Sequence, residues 1–490
     1  MKKLIMAMLC LCIMPLLSIA KVDNLNSPAK KGYHFTLKIQ GTSDTMAYLV
    51  HYYGKSGPTV FKSDSARIDK NGLAEFRSRD LDFVGGIYLI ILSGKKTSFE
   101  ILLNPGVDFS ITLNGDKIPG DIKFKNSSEN DRFQEYQTLM SAFAKKQEAY
   151  KSELAKAKNA TDTTDIRNRG SKDVQELNTY RKDYSAKFPG TLLSNIFGAM
   201  EIPEVPTGDH FLPDGKTKDS AFAYRYYKSH YWDGYNFQDD RLIFTPIYDG
   251  RLEEYMNKFV VPVPDSVKKE CDMLLSKTRG TKDQFHYTLW FLTRFAENSK
   301  IMGMDEVFVH LVENYYMKGD ATWLNNDELD KYIKRGQAIA PTVLGNLAYE
   351  LKLPDIFTQK EISLHGIKAK YTLLLFYSPT CGHCQKEMPL IDSVYEAALK
   401  DKGVKVYTMA TEGDEKSIGD FLTKLKVDKK WTNTWDPKKV SNYHNMYDVY
   451  STPTLYLLDD KKKIRGKRID HTNITGLVEM LDKKEKDSKK

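Results

Sequence analysis

The chain reads as a multidomain protein: an antiparallel β-sandwich, then an α-helical domain, then an α/β domain at the C-terminus. Three observations predict this. Its 490 residues exceed what one core usually organises. The apolar pattern changes twice, from short alternating runs to helical stripes near residue 120, and to strands alternating with helices near 344. Finally, the all-apolar run 371–377 leads straight into a helical stripe, the strand-to-helix step of an α/β sheet. A hydrophobic share of 41% supports well-formed cores.

Residues 1–20 read as a secretory signal. Met1-Lys2-Lys3 is charged, Leu4 to Leu17 is a short apolar core, and Ser18-Ile19-Ala20 is small where a signal peptidase reads. Cleavage is expected after Ala20, placing the mature protein in the periplasm or cell envelope. Cys10 and Cys12 fall inside this core without a convincing lipoprotein box. Their removal leaves three of five cysteines. So few, with an export signal, suit an envelope protein that uses cysteine for catalysis rather than for stapling.

Residues 21–120 form the expected sandwich. Tyr33–Ile39, Met46–Tyr53, Ile87–Leu92, Phe99–Leu103 and Val107–Leu113 are strand-like, and Asp69-Lys70-Asn71-Gly72 is a turn. No catalytic constellation appears in them, so binding or spacing is the expected role. Residues 121–344 form the helical domain. Phe133, Tyr136, Met140 and Phe143 make one stripe, and Val174, Leu177, Tyr180 and Tyr184 another, with the polar run Asn159–Thr164 between. An α-hairpin is the simplest arrangement. The aromatic crowd from Phe222 to Phe237 reads as packed core before a peptide- or glycan-binding face. Cys271 is expected to pack as a small hydrophobe. His310 and Glu313 lack the spacing of a metal site.

Residues 345–490 form the α/β domain. After the run 371–377 come a strand at Val404–Ala410 and a helix stripe at Ile418, Phe421, Leu422 and Leu425. A hairpin across Asp459-Asp460 and a last helix near Ile474–Leu481 complete it. The net charge of +8 is dispersed, and the Lys-rich end from Lys483 is a solvated tail rather than a nucleic-acid arm. No RNA-binding motif, Walker loop, G-x-G-x-x-G or H-E-x-x-H occurs. No later apolar run is long enough to span a membrane.

The chemistry concentrates in Ser378-Pro379-Thr380-Cys381-Gly382-His383-Cys384-Gln385-Lys386-Glu387-Met388-Pro389. Cys381 falls at the start of a helix, where free N–H groups and the positive dipole end favour a thiolate. Cys384, almost one turn on, can close a disulfide with it. His383 can add positive potential. The pair reads as a redox dithiol in which Cys381 attacks and Cys384 resolves, with no cofactor beyond its own Cys381–Cys384 disulfide and no resident metal. A zinc site would need a second ligand pair, and no second paired motif is present.

This stretch resembles thioredoxin-fold oxidoreductases of the periplasmic TlpA/ResA type, and its Gly-His dipeptide is similar to that of protein disulfide isomerases. The resemblance implies a thioredoxin fold for the C-terminal domain. It also implies that Glu387 tunes the cysteines and assists proton transfer, and that Pro389 bends the helix. Val449-Tyr450-Ser451-Thr452-Pro453-Thr454 resembles the family's cis-proline loop, which implies that Thr452 and Pro453 meet the substrate chain. Two positions depart from the pattern. Thr380 stands where the family usually has Trp, and Leu375 where ordinary thioredoxins bury an acid. The strand-like region from about 33 to 118 resembles the N-terminal β domain of unknown function often found ahead of this thioredoxin type, and His230-Tyr-Trp-Asp233 and Ile301-Met-Gly-Met304 resemble a second domain of unknown function found in the same architecture.

The expected function is that of an exported thiol-disulfide oxidoreductase, a reductase or isomerase acting on protein disulfides. The resemblance implies recharging by a membrane electron donor. Nucleic acid is not an expected partner. Two other readings stand beside it: a metal carrier using Cys381, His383 and Cys384, and an envelope binding protein whose redox head is auxiliary.

Overall fold

The computed structural model describes residues 32–55, 60–94, 98–115 and 121–487. The expected export signal, with Cys10 and Cys12, lies outside them. The described chain divides into two compact units, one within Met1–His51 and Val60–Asp173, the other within Tyr52–Thr59 and Val174–Lys490.

Among the described residues, the first unit holds eight strands: β1 (Tyr33–Gln40), β2 (Met46–His51), β3 (Phe61–Arg67), β4 (Leu73–Ser78), β5 (Gly86–Leu92), β6 (Ser98–Leu103), β7 (Val107–Asn114) and β8 (Lys123–Lys125). They form two four-stranded sheets, ordered β4-β1-β7-β8 and β3-β2-β5-β6. Phe35, Leu37 and Ile111 of one sheet share a core with Leu49, Ile90 and Ile101 of the other. This is the sandwich expected from the alternation, with one pair, β1 and β7, running parallel. The predicted turn connects β3 to β4. The Asp69 carboxylate accepts from the N–H groups of Asn71 and Leu73, and Gly72 takes φ 75°. A Cβ at Gly72 would strike the Ile39 carbonyl oxygen.

Two long helices follow, α1 (Ser128–Leu154) and α2 (Ala160–Lys187). The amide of Asn130 pairs with both the N–H and the C=O of Leu102, so α1 is pinned to β6. The polar run 159–164 is not a loop: α2 begins at Ala160. Asn159 accepts from the Asp162 N–H at 2.8 Å, so the residues that looked like a break cap a helix instead.

In the second unit, α3 (Leu192–Ala199), α4 (Phe222–His230), α5 (Tyr248–Lys258), α6 (Pro264–Thr278), α7 (Asp283–Glu297), α8 (Asp305–Leu311) and α9 (Asn326–Ile339) make the helical segment. Of the aromatic crowd, Tyr231, Trp232, Tyr235 and Phe237 are buried in it, whereas α4, which carries Phe222, Tyr224, Tyr226 and Tyr227, buries none of its residues, because this short helix keeps them at the surface. Cys271 is fully buried, and His310 is bonded to Asp272 at 2.8 Å.

Next come the small pair β9 (Lys352–Pro354) and β10 (Glu361–Ser363), then β11 (Tyr371–Tyr377), α10 (Gly382–Val394), β12 (Val404–Ala410) and α11 (Glu415–Lys424). The chain continues through β13 (Thr432–Trp435), α12 (Tyr443–Tyr447), β14 (Thr454–Asp459), β15 (Ile464–Lys467) and α13 (Ile474–Asp487). The five-stranded sheet is ordered β13-β12-β11-β14-β15. Strand β11 lies at its centre, parallel to β12 and antiparallel to β14. All seven of its residues are buried. Leu373, Leu375 and Tyr377 face one core with Met388 and Ile391 of α10, while Leu374 and Phe376 face another with Tyr407 and Tyr456. Burial on both faces explains why the sequence shows a continuous apolar run.

Candidate active site

The site is built where β11 ends and α10 begins. The turn closes with a bond from the Cys381 N–H to the Ser378 carbonyl at 3.2 Å, and the first helical bond runs from the Gln385 N–H to the Cys381 carbonyl at 3.1 Å. Cys381 is therefore the N-cap, in extended conformation, with its sulfur at the helix mouth. The Gln385 side chain donates to the Pro379 carbonyl at 2.9 Å and fixes the turn from the far side.

Cys381 is partly exposed, and Cys384 is fully buried. Both are free thiols. Burial works against ionisation of Cys381. Hydrogen bonds from the Thr452 side chain, from the backbone N–H groups of Cys384 and His383, and from the Cys384 thiol outweigh it, so its pKa lies below the ordinary 9.0. Burial pushes Cys384 up to about 11, although the Ser378 N–H bonds to its sulfur and lowers it in part. The pair is thus split, with the reachable sulfur the better thiolate.

The loop ahead of β14 completes the site. The Cys381 thiol donates to the Thr452 carbonyl at 3.1 Å, and the Thr452–Pro453 bond is cis. Cys381, Cys384, Thr452 and Pro453 thus come together. His383 is exposed, and its backbone N–H rather than its ring bonds to Cys381. Among the described residues, the Glu387 carboxylate bonds to His471, from the backbone N–H at 2.9 Å and to Nδ1 at 2.9 Å, and to neither thiol.

Two side chains escaped the sequence reading. Glu412 follows β12, and its Oε2 accepts from Ser378 Oγ at 3.0 Å and Thr380 Oγ1 at 3.4 Å. Its place beyond the carboxyl end of a parallel strand is where α/β sheets put site residues, and that was a usable signal. His471 lies 84 residues from Glu387, and nothing local announces the contact. Beside the Thr452 loop is a cavity of about 970 Å³, lined by Glu412, Asp414, Trp435, Tyr443 and Tyr450 among others. Among the described residues, the buried Trp435 Nε1 has no hydrogen-bond partner. Among the described residues, no three His, Cys, Asp or Glu side chains are grouped to hold a metal ion, and no helix is long and apolar enough to cross a membrane.

Residues 344–467 match the AhpC/TSA family, and residues 145–338 match a domain of unknown function, DUF5106. The chain is similar to the thiol-disulfide oxidoreductase ResA of Bacillus cereus, 30% identical over 110 residues, which are 22% of this chain and 61% of that protein. It is also similar to the sporulation thiol-disulfide oxidoreductase A of Bacillus subtilis, 28% identical over 123 residues, 24% of this chain and 72% of that one. It therefore spans less than two thirds of the Bacillus cereus relative. Among solved structures it is similar to a domain of a possible thiol-disulfide isomerase from Cytophaga hutchinsonii. That domain is 35% identical, with 30% of this chain and 98% of that one covered and a TM-score of 0.28. The C-terminal domain is thioredoxin-like, and a DUF5106 domain precedes it.

Proposed function

We propose that this chain is an exported thiol-disulfide oxidoreductase acting on protein disulfides. The observation that carries the reading is the split pair of thiols: Cys381 lowered at the helix mouth and facing Thr452, Cys384 raised behind it. The Cys381 thiolate attacks one sulfur of a substrate disulfide. A mixed disulfide forms and the first substrate thiolate leaves. Cys384 loses its proton and attacks Cys381 Sγ, closing the Cys381–Cys384 disulfide and releasing the second substrate thiolate. Two electrons pass from the dithiol to the substrate, and a dithiol donor at the membrane must return them for the next cycle. Thr452 and Pro453 receive the substrate chain. His383 adds positive potential at the surface, and Glu387, with His471, exchanges protons with the site through water.

The decisive experiment compares Cys384→Ala with the double variant Cys381→Ala/Cys384→Ala in envelope extracts. The first accumulates mixed disulfides that a reductant releases, and the second does not. Equal capture by both would instead support a binding protein with an auxiliary redox head. A reduction potential near about −270 mV would mark a reductant, and one near about −120 mV an oxidant.

A further inference from the structure

The helical segment reaches the loop of the redox site at a buried carboxylate, Asp448. Asp448 follows α12 and opens the loop that carries Thr452; it adopts a left-handed conformation with φ 50°. Its side chain is only 3% exposed, a poor place for an uncompensated charge. Two guanidinium groups compensate it. Arg335 of α9, 113 residues away, donates from Nη1 to Oδ1 at 2.6 Å. Arg468, just past β15, donates from Nη2 to Oδ2. Tyr456 on β14, and Lys467 with Asp305, are the further ionisable groups near this cluster.

The rest of the loop is tied at both sides of Thr452. His444 Nδ1 bonds to the Val449 carbonyl at 2.6 Å, and Thr454 Oγ1 donates to the Ser451 carbonyl at 2.6 Å. The Thr452 carbonyl between them meets Cys381. Beyond Arg468 the same strand exit leads to His471, which holds Glu387 on α10. A second tie to the helical segment lies one residue earlier, where the Lys467 ammonium bonds to the Thr342 carbonyl at 3.0 Å and pairs with Asp305.

We propose that Arg335 is a positioning residue of the redox site: by sharing Asp448 with Arg468, it holds loop 448–453 against Cys381. The helical segment thereby sets how the loop meets both the thiol and an incoming polypeptide. A bidentate-capable guanidinium suits the task, because a planar fork fixes direction as well as charge. The inference rests on the oxidoreductase reading.

The test uses the full chain as wild type, Arg335→Ala and Arg335→Lys. Two quantities are read: KM and kcat for reduction of a disulfide-bridged peptide, and the pH midpoint of Cys381 alkylation by iodoacetamide. Arg335→Ala is expected to raise KM about tenfold while kcat changes less than about twofold, within the range of mutations along coupled networks. Losing the Thr452 side-chain bond to the sulfur also moves the alkylation midpoint up towards the ordinary thiol value. Arg335→Lys restores part of both. Wild-type values of KM and midpoint in Arg335→Ala would overturn the assignment. If Arg335→Ala does not fold by circular dichroism, Arg335→Gln, which removes the charge but keeps a long polar side chain, decides, and wild-type values of KM and midpoint there overturn it. A wild-type chain without thiol exchange sinks the oxidoreductase reading, whereas normal exchange with indifferent variants sinks only the role of Arg335.

Discussion

Cys271 and Cys381 are the same side chain in two regions of one molecule, and helix position separates their fates. Cys271 sits inside α6, fully buried. Burial raises its thiol far above the usual range, and the neighbouring Asp272 and Glu270 carboxylates add to the effect. Cys381 caps α10, where N–H groups that have no helical partner turn towards its sulfur. A cysteine in mid-helix meets only bonded amides and becomes a packing residue. A cysteine at the first turn becomes a reagent.

The largest effect separates the two outright. Cys381→Ser removes disulfide exchange by on the order of 10³-fold or more, measured with a small aromatic disulfide, while Cys271→Ser leaves the rate within about twofold. Comparable losses in both variants would break the comparison. Next in size, Glu387→Gln is expected to slow exchange on the order of tenfold. That is less than direct acid–base catalysis gives, because the carboxylate bonds to His471 rather than to a thiol. The effect should be absent from Cys271 labelling. Smaller again is stability: Cys271→Ser places a hydroxyl in an apolar site and costs about 1–2 kcal/mol in urea unfolding.

The pH dependence sharpens the contrast further. Cys271 and Cys384 have raised values, so the folded state keeps protons that the unfolded chain releases. Their contribution is complete below the ordinary 9.0 and is lost as pH rises above it, for Cys384 up to about 11. The loss runs at up to about 1.4 kcal/mol per pH unit for each group. Cys381 is lowered and works in the opposite sense, contributing above its unfolded value. Urea melts at a series of pH values should therefore decline on the alkaline side, less steeply in Cys271→Ala. An identical slope in that variant would count against the burial argument.

Much of the candidate site was legible because its signals are local. The run 371–377 is apolar at every position because β11 has a core on each face. The cysteine spacing and the Thr452–Pro453 loop can each be read in a few letters. Strand β3 (Phe61-Lys-Ser-Asp-Ser-Ala-Arg67) could not be read that way. It buries only Ala66, so alternation leaves no trace. Strand β13, Thr432–Trp435, is four residues long at the sheet edge and gives too short a pattern. The contacts of Glu412, His471 and Asp448 are carried by side chains distant in sequence, and no window of residues encodes them.

Strand β11 has a last consequence. With no free face, the floor beneath the sulfurs belongs to two interiors at once, and exchanging any of its side chains disturbs one of them. Adjusting the reactivity of the thiols therefore falls to groups outside the strand that bond to the sulfurs: Ser378 and His383 through their backbone, and Thr452.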